Sequence, residues 1–310
     1  LQEQSKLKHL SKFIYKAYGL ILQTDFEISF LKKLDATSCQ IDVYIKENGF
    51  NEEIIHQYQS NDVSIDLFLE EHETLVSYKK NLGIFHIRNG NIVNYKKNKN
   101  AHNDEFARVV LNTVMSYILY QRNFLVIHSS GVEGGEDISL FVGASGSGKS
   151  SLAYDIAKKG SYKIISEDFI PIKYVNNNLF LKSSYPVIKL DENIVDSNLN
   201  DKKIFKSLTD PFKRSVYLND NFVESPSKKI KKIFFLEWGE QSFVEEISTN
   251  DAFKKLYSNT VRYLPPEKFL KNESNILKIK SKLFNQATCY SLSRRRESLK
   301  MQYKLLENFL

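Results

Sequence analysis

Gly143-Ala144-Ser145-Gly146-Ser147-Gly148-Lys149-Ser150 follows the apolar run Ile138 to Val142, and a helix-compatible run opens at Ser151. The three glycines let the backbone curl until successive N–H groups converge on phosphate oxygens, and the first turn of the following helix adds partial positive charge there. In this pattern Lys149 reaches the β- and γ-phosphates, and the Ser150 hydroxyl holds Mg²⁺. The predicted nucleotide contacts are therefore Gly143, Ala144, Ser145, Gly146, Ser147, Gly148, Lys149, Ser150 and Ser151. A plain Gly/Ser-rich turn is the alternative, but every required position is filled, between a strand and a helix.

The residues on either side of the loop add reactive groups. Its helix has room to run from about Ser150 to Lys159 before Gly160 ends it, and Tyr162-Lys163-Ile164-Ile165-Ser166 then reads as a strand delivering Glu167 and Asp168. That strand is expected to neighbour the loop's own strand. Adjacent side chains on an extended strand point to opposite sides, so both acids reach one site only if the strand ends or bends there. Pro171 fits such an irregularity. One carboxylate can then hold Mg²⁺ while the other takes the proton of an attacking hydroxyl. Upstream, Phe124-Leu125-Val126-Ile127-His128 reads as a buried strand ending in a histidine, and Gly134-Gly135 marks the turn into the loop's strand.

Composition sets the context. A chain of 310 residues with 42% hydrophobic content can bury one large core or two modest ones. No apolar run is long enough for a bilayer, so no membrane role is expected, and Leu1 to Leu10 is too polar for a signal peptide. Cys39 and Cys289 lie far apart without metal-ligand spacing, which suits a reducing cytoplasm. The net charge of +7 is spread over many lysines, denser at Lys228 to Lys232 and at Arg294 to Arg296. No nucleic-acid module accompanies it, so a solvated basic face is the expectation and no nucleic-acid partner is assigned. Arg262 and Arg294 to Arg296 are candidates to clamp phosphate or a peptide carboxylate, because guanidinium forks pair bidentately with both.

The first hundred residues read differently from the rest. Ile41, Val43 and Ile45 alternate with polar positions, as do Val63, Ile65, Leu67 and Leu69, and Asn89-Gly90 sits between two short apolar runs as a hairpin turn. These features predict a small, mainly antiparallel β-rich domain over 1–103. The Lys/Asn-rich stretch Lys96 to Asn103 marks the boundary to a second domain over 104–310. There, Phe106 to Ile118 recur at helical spacing, predicting one amphipathic helix over Glu105 to Tyr120 capped by Asp104. Ile230 to Trp238 reads as a further core strand, with Trp238 either lining a pocket or, as is commoner for a lone tryptophan after a core strand, packing, and Leu299 to Leu310 reads as a closing helix. The charged stretch from Asp191 to Ser227 reads as a mobile, substrate-facing element.

Taken together, His128-Ser129-Ser130-Gly131-Val132-Glu133, the loop, and Ile165-Ser166-Glu167-Asp168 resemble the catalytic domain of the HPr kinase/phosphorylase family over about Phe124 to Tyr174. The resemblance implies an α/β phosphate-loop domain with a mixed sheet, of the HPr kinase and ATP-dependent phosphoenolpyruvate carboxykinase type. It also implies ATP and Mg²⁺ as donor and metal. On it, His128 matches the active-site histidine, Lys149 and Ser150 the nucleotide and metal contacts, Glu167 the general base, and Asp168 the metal-associated acid. The chain departs in having Glu167 where the family usually has aspartate, and in lacking its downstream Gly-rich segment. Tyr18-Gly19-Leu20, the strand Ile41 to Lys46 and Tyr185 to Leu190 look like the HPr-kinase-like proteins of lasso-peptide and other ribosomal-peptide biosynthesis. That subgroup implies phosphorylation of a serine hydroxyl on a precursor peptide or small protein, with room for a homo-oligomer. A nucleotide-binding scaffold with little catalysis, an HPr-type regulatory kinase and a small-molecule kinase remain as alternatives.

Overall fold

A computed structural model describes residues 12–35, 39–47, 65–70, 72–78, 82–159, 161–195, 204–206, 212–259, 273–295 and 299–310. The chain divides into two compact units, Leu1–Arg122 and Asn123–Leu310. The expected boundary after Asn103 lies at one end of a helical segment, and the two units divide at its other end.

The first unit is built on seven strands: β1 (Phe13–Ala17), β2 (Leu20–Thr24), β3 (Val43–Glu47), β4 (Ile65–Glu70), β5 (Glu73–Tyr78), β6 (Gly83–Arg88) and β7 (Ile92–Lys97). They pair in the order β1-β2-β3-β7-β6-β5-β4. Most pairs are antiparallel, as expected, but β3 runs parallel to both β2 and β7. Asn89 and Gly90 take φ of 52° and 63°, and Asn91 N–H closes the turn on Arg88 O at 3.2 Å, as the Asn-Gly pair predicts. Val63 lies outside the described residues. The single helix expected after β7 is instead α1 (Asn103–Val109), a π-helical turn (Val110–Val114) and α2 (Met115–Gln121). Its apolar residues are buried all round rather than along one stripe, so packing on several sides sets its winding. His102, not Asp104, is the N-cap, because the Asp104 carboxylate accepts from Ser29 Oγ at 2.6 Å instead.

The second unit contains β8 (Leu125–Gly134), β9 (Asp137–Val142), α3 (Lys149–Lys158), β10 (Tyr162–Ser166), β11 (Phe169–Val175), β12 (Asn178–Leu181), β13 (Val187–Asp191), β14 (Ile204–Lys206), β15 (Lys213–Tyr217), β16 (Lys229–Trp238), β17 (Phe243–Glu246), α4 (Thr249–Asn259), α5 (Glu273–Gln286), β18 (Thr288–Arg294) and α6 (Leu299–Leu306). Its main sheet runs β12-β11-β8-β9-β16-β18-β17, with β10 also on β8. The centre is parallel: β16 lies between β9 and β18 with all three pointing the same way. This is the mixed α/β phosphate-loop architecture expected. The stretch after Asp191 is partly built into a small antiparallel sheet, β13-β15-β14. Gly160 lies outside the described residues. Both cysteines are free, and burial pushes the Cys289 thiol up to about 12, which keeps it protonated and unreactive.

The sheet face carrying Val132, Phe141, Phe234 and Leu292 forms one buried cluster with Leu152 and Ile156 of α3, Ile188 of β13, Val216 of β15 and Leu306 of α6. Parallel register places Phe141, Phe234 and Tyr290 side by side on β9, β16 and β18. Their rings stack at 5.7 and 5.1 Å between centroids. This ladder holds the three parallel strands in register, and with them the strand ends that carry the site. Phe234 is fully buried, so Phe234→Ala should lower the stability of this unit by about 3–5 kcal/mol in denaturant unfolding, whereas a loss below about 1 kcal/mol would refute the ladder's role.

Candidate functional site

The site forms where β9 and β16 and β18 end. In open sheets the carboxyl ends of parallel strands are where ligands bind. The loop leaves β9 at Gly143 and enters α3 at Lys149. Gly148, at the helix cap, takes φ of +80°, which an L side chain resists. Ala144, Ser145 and Gly146 are exposed, Ser147 and Lys149 are buried, and Ser150 and Ser151 are half-buried. Lys149 folds onto its own loop, with Nζ donating to Gly143 O at 2.8 Å and Ala144 O at 2.9 Å.

β8 brings the histidine in. It does not end at His128, as the apolar run suggested, but continues to Gly134 because its second half finds a different partner. One edge of β8 pairs with β9. Along its other edge, Leu125–His128 pair with β11 and Gly131–Gly134 with β10. The strand bearing the acids was expected beside the loop's strand; it lies one strand further out, because β8 occupies that place. β10 and β11 therefore form one interrupted strand, and the interruption is Glu167-Asp168. The ladder between β10 and β8 slips its register between Ile164 and Ser166. Three hydrogen bonds then pin the bend. Ser130 Oγ donates to Glu167 O at 2.7 Å, Ser129 N–H to Asp168 O at 3.2 Å, and Ser166 Oγ to Phe169 O at 2.5 Å.

The bend lets both acids face the loop's surroundings. Ser150 Oγ donates to Glu167 Oε1 at 3.4 Å, and His128 Nε2 lies 3.8 Å from Asp168 Oδ1. The acid beside the Ser150 hydroxyl is thus Glu167, and the acid beside the histidine is Asp168. The family resemblance assigns the pair the other way round.

Two residues undervalued in the sequence join this group. Trp238 is not core packing: it is 39% exposed, and its indole Nε1 donates to Gly146 O at 2.9 Å. Arg294, one of a run of three arginines, is fully buried, donates from Nη2 to Ser147 O, and lies over the Trp238 ring at 4.5 Å. Arg295 is exposed, while Arg262 and Arg296 lie outside the described residues. The strand-end position of Trp238 was visible in the sequence, but the strand ending at Arg294 was not, and the pairing of the two residues depends on parallel register across β16 and β18.

Burial dominates the electrostatics. It pulls the Lys149 ammonium down to about 8, against the opposing pull of Asp168 and Glu167, while Lys213 and Arg294 add to the lowering. Burial likewise lowers Arg294 to about 10, so it stays charged at neutral pH. Among the described residues no group of three or more His, Cys, Asp or Glu could hold a metal alone. None of their helices is long and apolar enough to cross a membrane.

Comparison with known proteins gives two findings. Residues 100–171 match the sequence model of the phosphoenolpyruvate carboxykinase family, a span that takes in His128, the loop and both acids. A solved structure, the Hpr(Ser) kinase/phosphatase from Coxiella burnetii, aligns with a TM-score of 0.31 and 11% identity, covering 59% of this chain and 88% of that one. No curated protein matches the chain.

The lowered Lys149 value has a measurable consequence. The folded chain releases the lysine proton near pH 8, whereas the unfolded chain keeps it to 10.5, so this group adds stability as pH rises through that window. Below pH 8 the fold bears the cost of a buried ammonium. The stability difference between the native chain and Lys149→Met should therefore move in favour of the native chain from pH 8 to 10.5, read by denaturant titration. A difference that stays flat across that window would contradict the lowered value.

Proposed function

We propose that the second unit is an ATP- and Mg²⁺-dependent kinase that transfers the γ-phosphoryl group to a serine hydroxyl of a peptide or small protein. What supports this reading most is the split of the acid pair: one carboxylate lies beside Ser150 of the phosphate loop and the other beside His128. The match over residues 100–171 agrees with it, since it covers the same residues. The finer assignment, a biosynthetic precursor peptide of the lasso-peptide kind in the cytoplasm, rests on the resemblance around Tyr18-Gly19-Leu20 and Tyr185 to Leu190.

A serine hydroxyl is a weak nucleophile at neutral pH, so it needs a proton acceptor as it attacks. Asp168, with His128 beside it, takes that proton; the new bond joins the serine oxygen to the γ-phosphorus, and the bond to the β-phosphate oxygen breaks to release ADP. Lys149 leaves the loop carbonyls to neutralise charge on the β- and γ-phosphates. Mg²⁺ keeps several waters and is usually held by one or two carboxylates with substrate phosphates, so the oxygen donors Ser150 and Glu167 fit it. When bound, it supplies further charge neutralisation on the phosphates.

The test is incubation with γ-labelled ATP, Mg²⁺ and a library of serine-containing peptides, read by mass spectrometry. Transfer should occur with the native chain and vanish in Lys149→Ala; phosphorylation that survives there sinks the assignment. The two acids separate in the same assay. Asp168→Asn should lower turnover about 10²- to 10⁴-fold with ATP affinity little changed, while Glu167→Gln should raise the Mg²⁺ concentration needed for half-maximal rate. The reverse pattern would restore the roles that the family resemblance implies.

A further inference from the structure

The loop is held from outside as well as from within. Gly146 O accepts from Trp238 Nε1 at 2.9 Å, and the next carbonyl, Ser147 O, accepts from the Arg294 guanidinium. These are consecutive peptide units of the phosphate loop, tied to the ends of two neighbouring strands. In a peptide unit the C=O and the N–H point in opposite directions. Fixing Ser147 O on Arg294 therefore turns the Gly148 N–H away from the strand ends.

The tie is itself secured. Trp238 and Arg294 are register partners across the parallel pair β16–β18. Gly239 N–H donates to Arg294 O at 2.9 Å, and Arg295 N–H to Ser242 Oγ at 3.0 Å, so the backbone on both sides of the guanidinium is anchored. The guanidinium also lies against Gly148: a Cβ on that glycine would come within 3.3 Å of Nη2 and 3.4 Å of Nη1. Loop, indole and guanidinium are therefore packed closely, and a Cβ at Gly148 would press on both side chains as well as meet the strain of its positive φ.

We propose that Arg294 and Trp238 form a brace that sets the phosphate-binding conformation of the loop, with Arg294 as a positioning residue for phosphoryl transfer and Trp238 as its partner. The guanidinium does not touch the transferring group; it acts through the Ser147–Gly148 peptide. This deepens the kinase reading and rests on it only in taking a nucleotide as the loop's ligand.

Trp238 is the single tryptophan of the chain, so fluorescence excited selectively at tryptophan, beyond the absorption of the 17 tyrosines, reports on the brace. Titrating the full chain with ADP and Mg²⁺ should change its emission saturably, with the same dissociation constant found by calorimetry. Arg294→Met should bind ADP at least about tenfold more weakly, as expected when a charge-assisted hydrogen bond is lost, and Arg294→Lys should fall between. Affinity for adenosine, which carries no phosphate, should be unchanged in both variants, a separation that general destabilisation would not give. If Arg294→Met fails to fold, Trp238→Phe supplies the second arm: it keeps an aromatic ring beside the guanidinium but loses the donor to Gly146, and calorimetry should again show weaker ADP and unchanged adenosine. Affinities for ADP within twofold of the native chain in every folded variant would overturn the brace. A native chain that binds no ADP would instead overturn the nucleotide reading of the loop.

Discussion

The whole site depends on one interruption in a β-ladder. A strand of ten residues, β8, pairs with β9 along one edge, while its other edge is shared by β10 and β11 in succession. Had the partner strand run on unbroken, Glu167 and Asp168 would have pointed to opposite faces of the sheet. The break exposes backbone groups that the ladder would have satisfied, and a buried unpaired carbonyl costs about 1–3 kcal/mol. Ser130 and Ser129 remove that cost by donating to the carbonyls of Glu167 and Asp168. The Ser130 hydroxyl and the Ser129 backbone N–H therefore hold the bend that turns the acid pair inward, and neither needs to touch a ligand to matter.

How much of this was legible in the chain follows the distance over which each feature is decided. The loop, its strand and its helix were readable because glycine freedom, an apolar run and a helix start are local properties. The Asn89-Gly90 turn was readable for the same reason. The order of strands was not: nothing in Tyr162–Ser166 says whether it pairs with β9 or with β8, since both partners are apolar and only the whole sheet settles the choice. The helical segment after β7 shows the same limit. Its spacing announced a helix, but burial on several sides, invisible in the pattern alone, accompanies the π-helical turn, and the distant contact of Asp104 with Ser29 leaves the cap to His102. Arg294 is the sharpest case. It is the last residue of β18 and its side chain is buried, yet its partner on the loop, Ser147, lies 147 residues earlier, beyond the reach of any local rule.

Charge explains why so polar a group of side chains is tolerated at the strand ends. Lys149 and Arg294 are buried, and isolated buried cations would be costly. Two carboxylates face the same place, and the lysine fills its remaining need with two loop carbonyls. The arrangement is a resting balance rather than a strong salt bridge, since burial still outweighs Asp168 and Glu167 in lowering the Lys149 ammonium. In the proposed reaction a triphosphate would shift that balance. Its negative oxygens would compete with the loop carbonyls for Lys149 and would favour the charged form that burial disfavours. The same carbonyls that hold the lysine at rest are thereby released, and the loop would lose part of its internal support as the ligand enters. A second attachment that does not involve Lys149 would keep the loop in place during that exchange, and the hydrogen bonds from Trp238 and Arg294 to Gly146 and Ser147 are attachments of that kind.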